Sequence, residues 1–176
     1  MPVLATIGYE GASLDDFIAT LHAASIRLLI DVRALPISRR PGFAKNALST
    51  ALADAGVDYL HLKELGDPKE GRNAARANDL ATFLRIFTKH LNTASARNVL
   101  AEAASLSMSG GACLMCYERD PSVCHRRLVA ERIAAIVEVR IQHLGVKHGF
   151  AGAQRKADGT SSRTRQGFAA RRQEAR

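Results

Sequence analysis

Between Cys116 and Arg127 the chain gathers two thiols (Cys116, Cys124), an imidazole (His125), two carboxylates (Glu118, Asp120) and three guanidiniums (Arg119, Arg126, Arg127). A thiol beside cations or at a helix N-terminus ionises at roughly pH 3.5–7.5, and an imidazole exchanges protons near neutrality. A guanidinium binds phosphate or carboxylate through its planar fork. These groups suit nucleophilic or proton-transfer chemistry on an anionic substrate. The run follows the apolar segment 112–117 and precedes a helix that Asp120 and Pro121 are suited to start, with Val129, Ile133 and Ile136 on its buried face. In an open α/β sheet such a strand-to-helix junction lies at the carboxyl edge, where ligands bind.

The rest of the chain predicts elements that aim other polar residues at the same edge. Residues 3–8 form an apolar run closed by Gly8 and Gly11, and Ser13 opens a helix with Asp16 three residues on as a capping box. Residues 26–32 read as a second buried strand, a helix spans 45–55, and 57–62 is a third strand. A polar stretch from 63 to 77 reads as loop. Asp79 caps a helix bearing Leu80, Phe83, Leu84, Phe87 and Leu91, another helix covers 94–106, and the alternating run 138–144 suits an edge strand. Strands separated by helices predict a three-layer α/β/α fold with a mostly parallel sheet of about five strands.

On that topology Tyr9 and Glu10 leave the first strand, Asp31 and Arg33 with Ser38 and Arg39 the second, and His61 the third. Asp31 interrupts an apolar strand, where an ionised carboxylate needs a partner. Arg33 shares its face, so the two read either as a structural pair or as members of an anion clamp with Arg39. Substrate-binding candidates are therefore Tyr9, Asp31, Arg33, Ser38, Arg39 and Arg126; catalytic candidates are Glu10, Glu118, Cys124 and His125. Cys124 best fits a thiolate at a helix N-terminus, although in a regular helix it lies away from the apolar stripe on which Arg126 falls. Cys116 reads as a small buried hydrophobe or as the redox partner of Cys124. Zinc on Cys113, Cys116, Cys124 and His125 is disfavoured, because cysteines three apart on a strand face opposite sides. No metal and no cofactor is expected.

Several blocks together resemble the bacterial and archaeal family named domain of unknown function 488. They are Thr6-Ile7-Gly8-Tyr9-Glu10-Gly11, Ile30-Asp31-Val32-Arg33 with Pro36 and Ser38-Arg39, Gly42-Phe43, Tyr59-Leu60-His61 before Leu65-Gly66, and Cys116-Tyr117-Glu118 with Cys124-His125-Arg126. The resemblance runs from about residue 3 to 136 and implies a cytoplasmic α/β domain whose motifs face a common site, with no settled activity. Cys113 and the basic C-terminus lie outside it. Asp31-Val32-Arg33 also looks like a rhodanese strand, but the single short cysteine loop of sulfurtransferases is missing.

The 176 residues predict one domain, 1–151, followed by a basic tail, 152–176. The formal charge is +8 and the pI near 9.9. Seven basic against two acidic residues fall between Arg155 and Arg176, in a segment too polar to fold on its own. Three cysteines do not read as a disulfide framework, and no apolar run approaches the roughly 18 residues of a membrane span. A cytoplasmic enzyme, hydrolase or transferase, acting on an anionic small molecule or nucleic acid is the expected function. A nucleic-acid-binding accessory protein without catalysis, and a thiol-redox or sulfurtransferase-like protein, are the alternatives.

Overall fold

Near-continuous apolar runs at 3–8, 28–31 and 112–116 pair in parallel at the centre of a sheet covered on both faces, and the more polar, partly exposed runs 58–61 and 140–144 form its edges. The computed structural model describes residues 1–157. Its sheet is entirely parallel: β1 (Val3–Gly8), β2 (Leu28–Asp31), β3 (Asp58–His61), β4 (Ala112–Cys116) and β5 (Arg140–Leu144) lie in the order β3-β2-β4-β1-β5. The helices are α1 (Leu14–Ala23), α2 (Lys45–Asp54), α3 (Lys69–Arg76), α4 (Leu80–Leu91), α5 (Ala94–Ser107), α6 (His125–Ala134) and α7 (150–157). The result is a three-layer α/β/α fold.

Two cores separate the layers. On one face Phe17 and Leu21 of α1 and Leu48 and Leu52 of α2 pack on Ala5, Ile7, Leu29, Cys113 and Met115. On the other, Phe83, Phe87, Leu91 and Leu100 of α4 and α5 join Val129 and Ile133 of α6 against Leu4, Ile30, Leu114 and Cys116. Each fully buried large apolar side chain contributes about 1.5–3 kcal/mol. The alternation along β4 sends Cys113 and Cys116 into different cores, as the strand period requires.

The crossover leaving β1 runs over the first face and the one leaving β4 over the second, although the two strands are neighbours. Their divergence opens a crevice at the carboxyl edge. Register brings the strand ends level there, with Gly8 opposite Cys116, and Asp31 opposite Met115 on one side and His61 on the other.

Local structure departs from the sequence reading in four places. Asp120 and Pro121 start a single 3-10 turn, Pro121–Val123, in which Asp120 Oδ1 accepts from Ser122 N at 2.8 Å. The chain then extends at Cys124 (φ −116, ψ 137), so α6 begins at His125 and Cys124 is its N-cap, buried rather than turned away. Ile136 lies beyond α6 and is exposed, which shortens the apolar stripe to Val129, Ala130 and Ile133. The stretch 63–77 contains a 3-10 turn, Lys63–Leu65, and α3, which buries only Gly71 and Ala74 and so lacks an apolar period.

The capping box is half made. Ser13 Oγ accepts from Asp16 N at 3.2 Å, but the Asp16 carboxylate accepts from Gly149 N and Ala151 N, both at 2.9 Å, and so caps α7 instead. That helix carries the described chain past residue 151, and the remainder of the basic tail, 158–176, lies outside the described residues. Among the described residues no helix is long and apolar enough to cross a membrane.

Gly8 ends β1 where the loop after β4 passes closest. A Cβ at this position would stand 1.8 Å from the Glu118 carbonyl oxygen and 2.6 Å from its carbon. Backbone cannot rotate away as a side chain does, so Gly8→Ala should lower stability by about 1–3 kcal/mol. Urea denaturation measures it, with Gly145→Ala as the control: nothing lies within 4 Å of its added Cβ, and the expected change is under about 0.5 kcal/mol.

Candidate active site

The crevice is a cleft of about 1060 Å³ lined by segments that follow four of the strands. Tyr9 leaves β1; Arg33 and the loop carrying Ser38, Arg39 and Arg40 leave β2; Cys116, Tyr117 and Glu118 leave β4, with His125 from α6 and Asp67, Arg72 and Arg76 from the segment after β3. Arg39 and Arg76 are exposed at the cleft. Arg40 Nε donates to the Ala12 carbonyl and Arg72 Nη1 to the Asp67 carbonyl, which leaves each guanidinium further N–H groups for a ligand.

At the end of β4 the Sγ atoms of Cys116 and Cys124 and a ring nitrogen of His125 lie within 4.8 Å of one another, all buried. His125 Nε2 sits 2.9 Å from the Val32 carbonyl, which can only accept, so Nε2 carries a proton; Cys116 Sγ lies beside the ring, 3.7 Å from Nδ1 and 3.9 Å from Nε2. Phe87 packs edge-on against the ring at 5.3 Å and fixes its plane. Cys116 Sγ donates to Glu118 Oε2 at 3.4 Å.

These contacts set the protonation states. Burial alone would raise the Cys124 thiol; hydrogen bonds from Cys116 and His125 and the positive charges of His125 and Arg126 overcome it and hold Cys124 well below the ordinary thiol range. The hydrogen bond to Cys124 keeps the Cys116 proton in place, and burial and the charges of Cys124 and Glu118 raise it further. For His125, burial is outweighed by the Cys124 hydrogen bond and charge, raising it to about 9. Glu118 is raised to about 7 by burial and by the Cys124 thiolate. At neutral pH the cluster is a thiolate–imidazolium pair with a neutral thiol in front. The charge resides on Cys124, the N-cap of α6; the sulfur that lines the cleft is Cys116.

The other candidates divide into ligand-facing groups and internal braces. Arg33 grips Asp31 through Nε to Oδ1 at 2.9 Å and Nη2 to Oδ2 at 2.6 Å, and its Nη1 donates to Tyr9 Oη at 3.0 Å and to the Phe43 carbonyl at 2.9 Å. Tyr59 Oη donates to Asp31 Oδ2 at 2.6 Å. With 5% and 0% of Arg33 and Asp31 exposed, the pair is structural and only the edge of Arg33 reaches the cleft. Arg126 is fully buried: Nε donates to Thr6 Oγ1 at 3.3 Å, Nη2 to the Arg119 carbonyl at 3.1 Å and Nη1 to the Glu118 carbonyl. It positions the loop that carries Glu118. Glu10 is exposed outside the cleft lining and accepts from Arg119 N at 2.9 Å, tethering the same loop. Tyr9 stacks on Phe43 at 4.4 Å within the lining, Ser38 Oγ accepts from Arg40 N at 3.1 Å, and Arg39 faces the cleft.

Sequence reasoning missed Asp67. Its carboxyl is 5% exposed and raised to about 6, chiefly by burial, and its Oδ1 has no hydrogen-bond partner. Gly71 makes room for it: a Cβ there would stand 2.0 Å from Oδ1. The available signal was Asp67-Pro68 followed by Gly71, a helix start hidden in a polar stretch. Cys113 is absent from the site, fully buried on the opposite face, with its thiol raised by that burial.

A family model described as Domain of unknown function DUF488 matches residues 13–133. No curated protein and no solved structure matches the chain.

Ultraviolet thiolate absorbance should show one thiolate that persists well below the ordinary cysteine range, is lost in Cys124→Ser and is unchanged in Cys113→Ala. Both partners of the pair are charged between the depressed thiol pKa and about 9. Above that the imidazolium loses its proton and the thiolate loses its closest cation. Arg126→Met should lower stability by at least about 3 kcal/mol in urea denaturation, because it strips donors from two carbonyls and a hydroxyl inside the protein.

Proposed function

The chain belongs to the DUF488 family, and from the geometry of its cleft we propose that it is an enzyme, a hydrolase or transferase, acting on an anionic, phosphate-bearing or nucleic-acid-like substrate at the carboxyl edge of the sheet. One observation carries this reading. A buried thiolate, Cys124, stands behind a thiol and an imidazolium that line the cleft, and the same cleft exposes Arg39 and Arg76.

The anionic group of the substrate seats against Arg39 and Arg76, helped by the remaining donors of Arg40 and Arg72. This places an electrophilic centre over Cys116 Sγ. As that sulfur attacks, its proton passes to the Cys124 thiolate, which the N-terminus of α6 and His125 have kept ionised. The bond from sulfur to the transferred group forms and the bond to the leaving group breaks. The leaving group departs with its electron pair and takes a proton from Glu118 or Asp67, whose pKa values of about 7 and about 6 suit proton exchange near neutrality. Water in a hydrolase, or a second hydroxyl acceptor in a transferase, then attacks the transferred group, gives its proton to the carboxylate that protonated the leaving group and breaks the bond to Cys116 Sγ, and Cys124 returns its proton to Cys116.

The proximity of the two sulfurs also favours a second reading, thiol–disulfide exchange, in which they close from within 4.8 Å to a bond of about 2.05 Å as a disulfide substrate is reduced to two thiols.

Thermal-shift titration with inorganic phosphate, a nucleoside monophosphate and a short single-stranded oligonucleotide tests the binding half. At least one should stabilise the protein, and Arg39→Ala with Arg76→Ala should weaken it about tenfold, as loss of roughly 1.4 kcal/mol of charge-assisted hydrogen bonding requires. Turnover of an activated phosphate or carboxylate ester should disappear in Cys116→Ser and persist in Cys113→Ala. Undiminished turnover in the Cys116,Cys124 double serine variant ends the catalytic reading. Oligonucleotide binding that falls steeply with salt and brings no turnover supports the accessory-protein alternative instead.

A further inference from the structure

The three groups that supply thiol chemistry also meet the requirements of a metal centre. We propose that Cys116, Cys124 and His125 form a site for one divalent ion of the zinc class, with its fourth position turned toward the cleft, and that loading the site withdraws both sulfurs from thiol chemistry. The second half rests on the proposed function; the first stands without it.

A tetrahedral zinc ion with Zn–S near 2.3 Å and Zn–N near 2.0–2.1 Å places its ligand atoms about 3.6–3.8 Å apart. Cys116 Sγ and His125 Nδ1 are 3.7 Å apart, and all three ligand atoms fall within 4.8 Å of one another. Side-chain adjustments of about 1 Å therefore close the triangle around an ion. Ligation also requires a turn of the His125 ring, because Cys116 Sγ stands beside it, 3.7 Å from Nδ1 and 3.9 Å from Nε2. The Nε2 proton is directed to the Val32 carbonyl at 2.9 Å, which leaves Nδ1 as the nitrogen available to an ion, the outer-shell arrangement that fixes the tautomer of metal-bound histidines.

The donor set selects the ion. Two sulfurs and an imidazole favour zinc or another borderline-soft cation over magnesium or calcium, which take oxygen. Cys116 and His125 line the cleft while Cys124 lies behind them, so the vacant vertex of the tetrahedron points into the cleft. Oxygen donors stand ready on that side: Glu118 Oε2 is 3.4 Å from Cys116 Sγ, and the buried Asp67 carboxyl has an oxygen with no partner. Cys113 does not contribute to the site, because its side chain enters the other core.

The test uses the full chain, reduced with a non-thiol reductant, freed of metal with a chelator and titrated with cobalt(II) and then zinc(II). The expected result is one equivalent of cobalt with thiolate-to-cobalt charge-transfer absorption and tetrahedral visible bands, displaced by one equivalent of zinc. Cys113→Ala should retain binding. Cys116→Ser, Cys124→Ser and His125→Ala should each weaken zinc at least about 100-fold while circular dichroism shows the fold intact. In the unmodified chain, zinc should slow iodoacetamide labelling of Cys116 at least about tenfold, and chelator should restore it.

Absence of the charge-transfer band, or zinc binding that leaves Cys116 labelling unchanged, overturns the proposal. The labelling arm needs no variant and decides the matter should the substitutions unfold the protein. None of these readouts depends on turnover. An active enzyme without the cobalt band therefore refutes the metal site alone, and a metal-binding chain that turns over no ester refutes the catalytic reading alone.

Discussion

The guanidinium of Arg126 is the contact on which the site depends. It lies with no exposed surface at the start of α6, and no described carboxylate pairs with it. A bare buried cation is costly, and four groups offset the cost. The Glu118 and Arg119 carbonyls and Thr6 Oγ1 accept its hydrogen bonds, and the Cys124 thiolate supplies the opposite charge. Thr6 passes the constraint outward, since its hydroxyl also bonds His143 Nδ1 of β5 at 2.8 Å. The nearby Arg126 charge adds to desolvation in keeping His143 below its ordinary pKa, and so neutral enough to accept. One side chain thereby connects β1, the loop after β4, α6 and β5, and allows a buried thiol to ionise.

Arg33 acts in the same way at the end of β2. Its ion pair with Asp31 fills a polar gap there, and Tyr59, Tyr9 and the Phe43 carbonyl complete the bonding. This brace fixes the chain just beyond β2, where the Val32 carbonyl orients His125. The two buried arginines are thus coupled through the histidine. Arg126 holds the loop on one side of the ring and Arg33 holds the carbonyl that sets its tautomer on the other. The guanidiniums open to a ligand on the proposed function are those with exposed surface, Arg39 and Arg76, which burial separates from the braces and charge alone does not.

That distinction marks how far the sequence could be read. The apolar runs and their spacing were enough for the parallel three-layer fold, and the period of two along β4 was enough to separate Cys113 from Cys116. The convergence of Tyr9, Arg33, Arg39, Cys116, Glu118 and His125 on one cleft also followed from topology. The start of α6 did not, because Asp120 and Pro121 cap a 3-10 turn as well as they would an α-helix, and the extended residue after it cannot be read from residue types. Neither did α3, whose polar composition carries no apolar period and so hides Asp67 and Arg76. Residue type does not separate Arg33 and Arg126 from Arg39 either, because their difference lies in burial, which depends on the whole fold.

The displaced start of α6 shapes the chemistry more than any other departure. Had the helix begun at Asp120, Cys124 would occupy a helical position facing away from the apolar stripe, remote from Cys116. The 3-10 turn and the extended Cys124 instead swing its sulfur inward, place it at the N-terminal end of α6 and bring His125 into the first turn beside it. The helix dipole, the imidazolium and the buried guanidinium then act on one sulfur. The hydrogen bonds and cations that ionise that sulfur surround it and, against the cost of burial, deny it contact with the cleft, so the ionised group and the accessible group are different residues. A second thiol at the end of β4, close enough to exchange a proton with the first, resolves the conflict. On the proposed function the two act as a unit, in which Cys124 holds the charge and Cys116 meets the substrate.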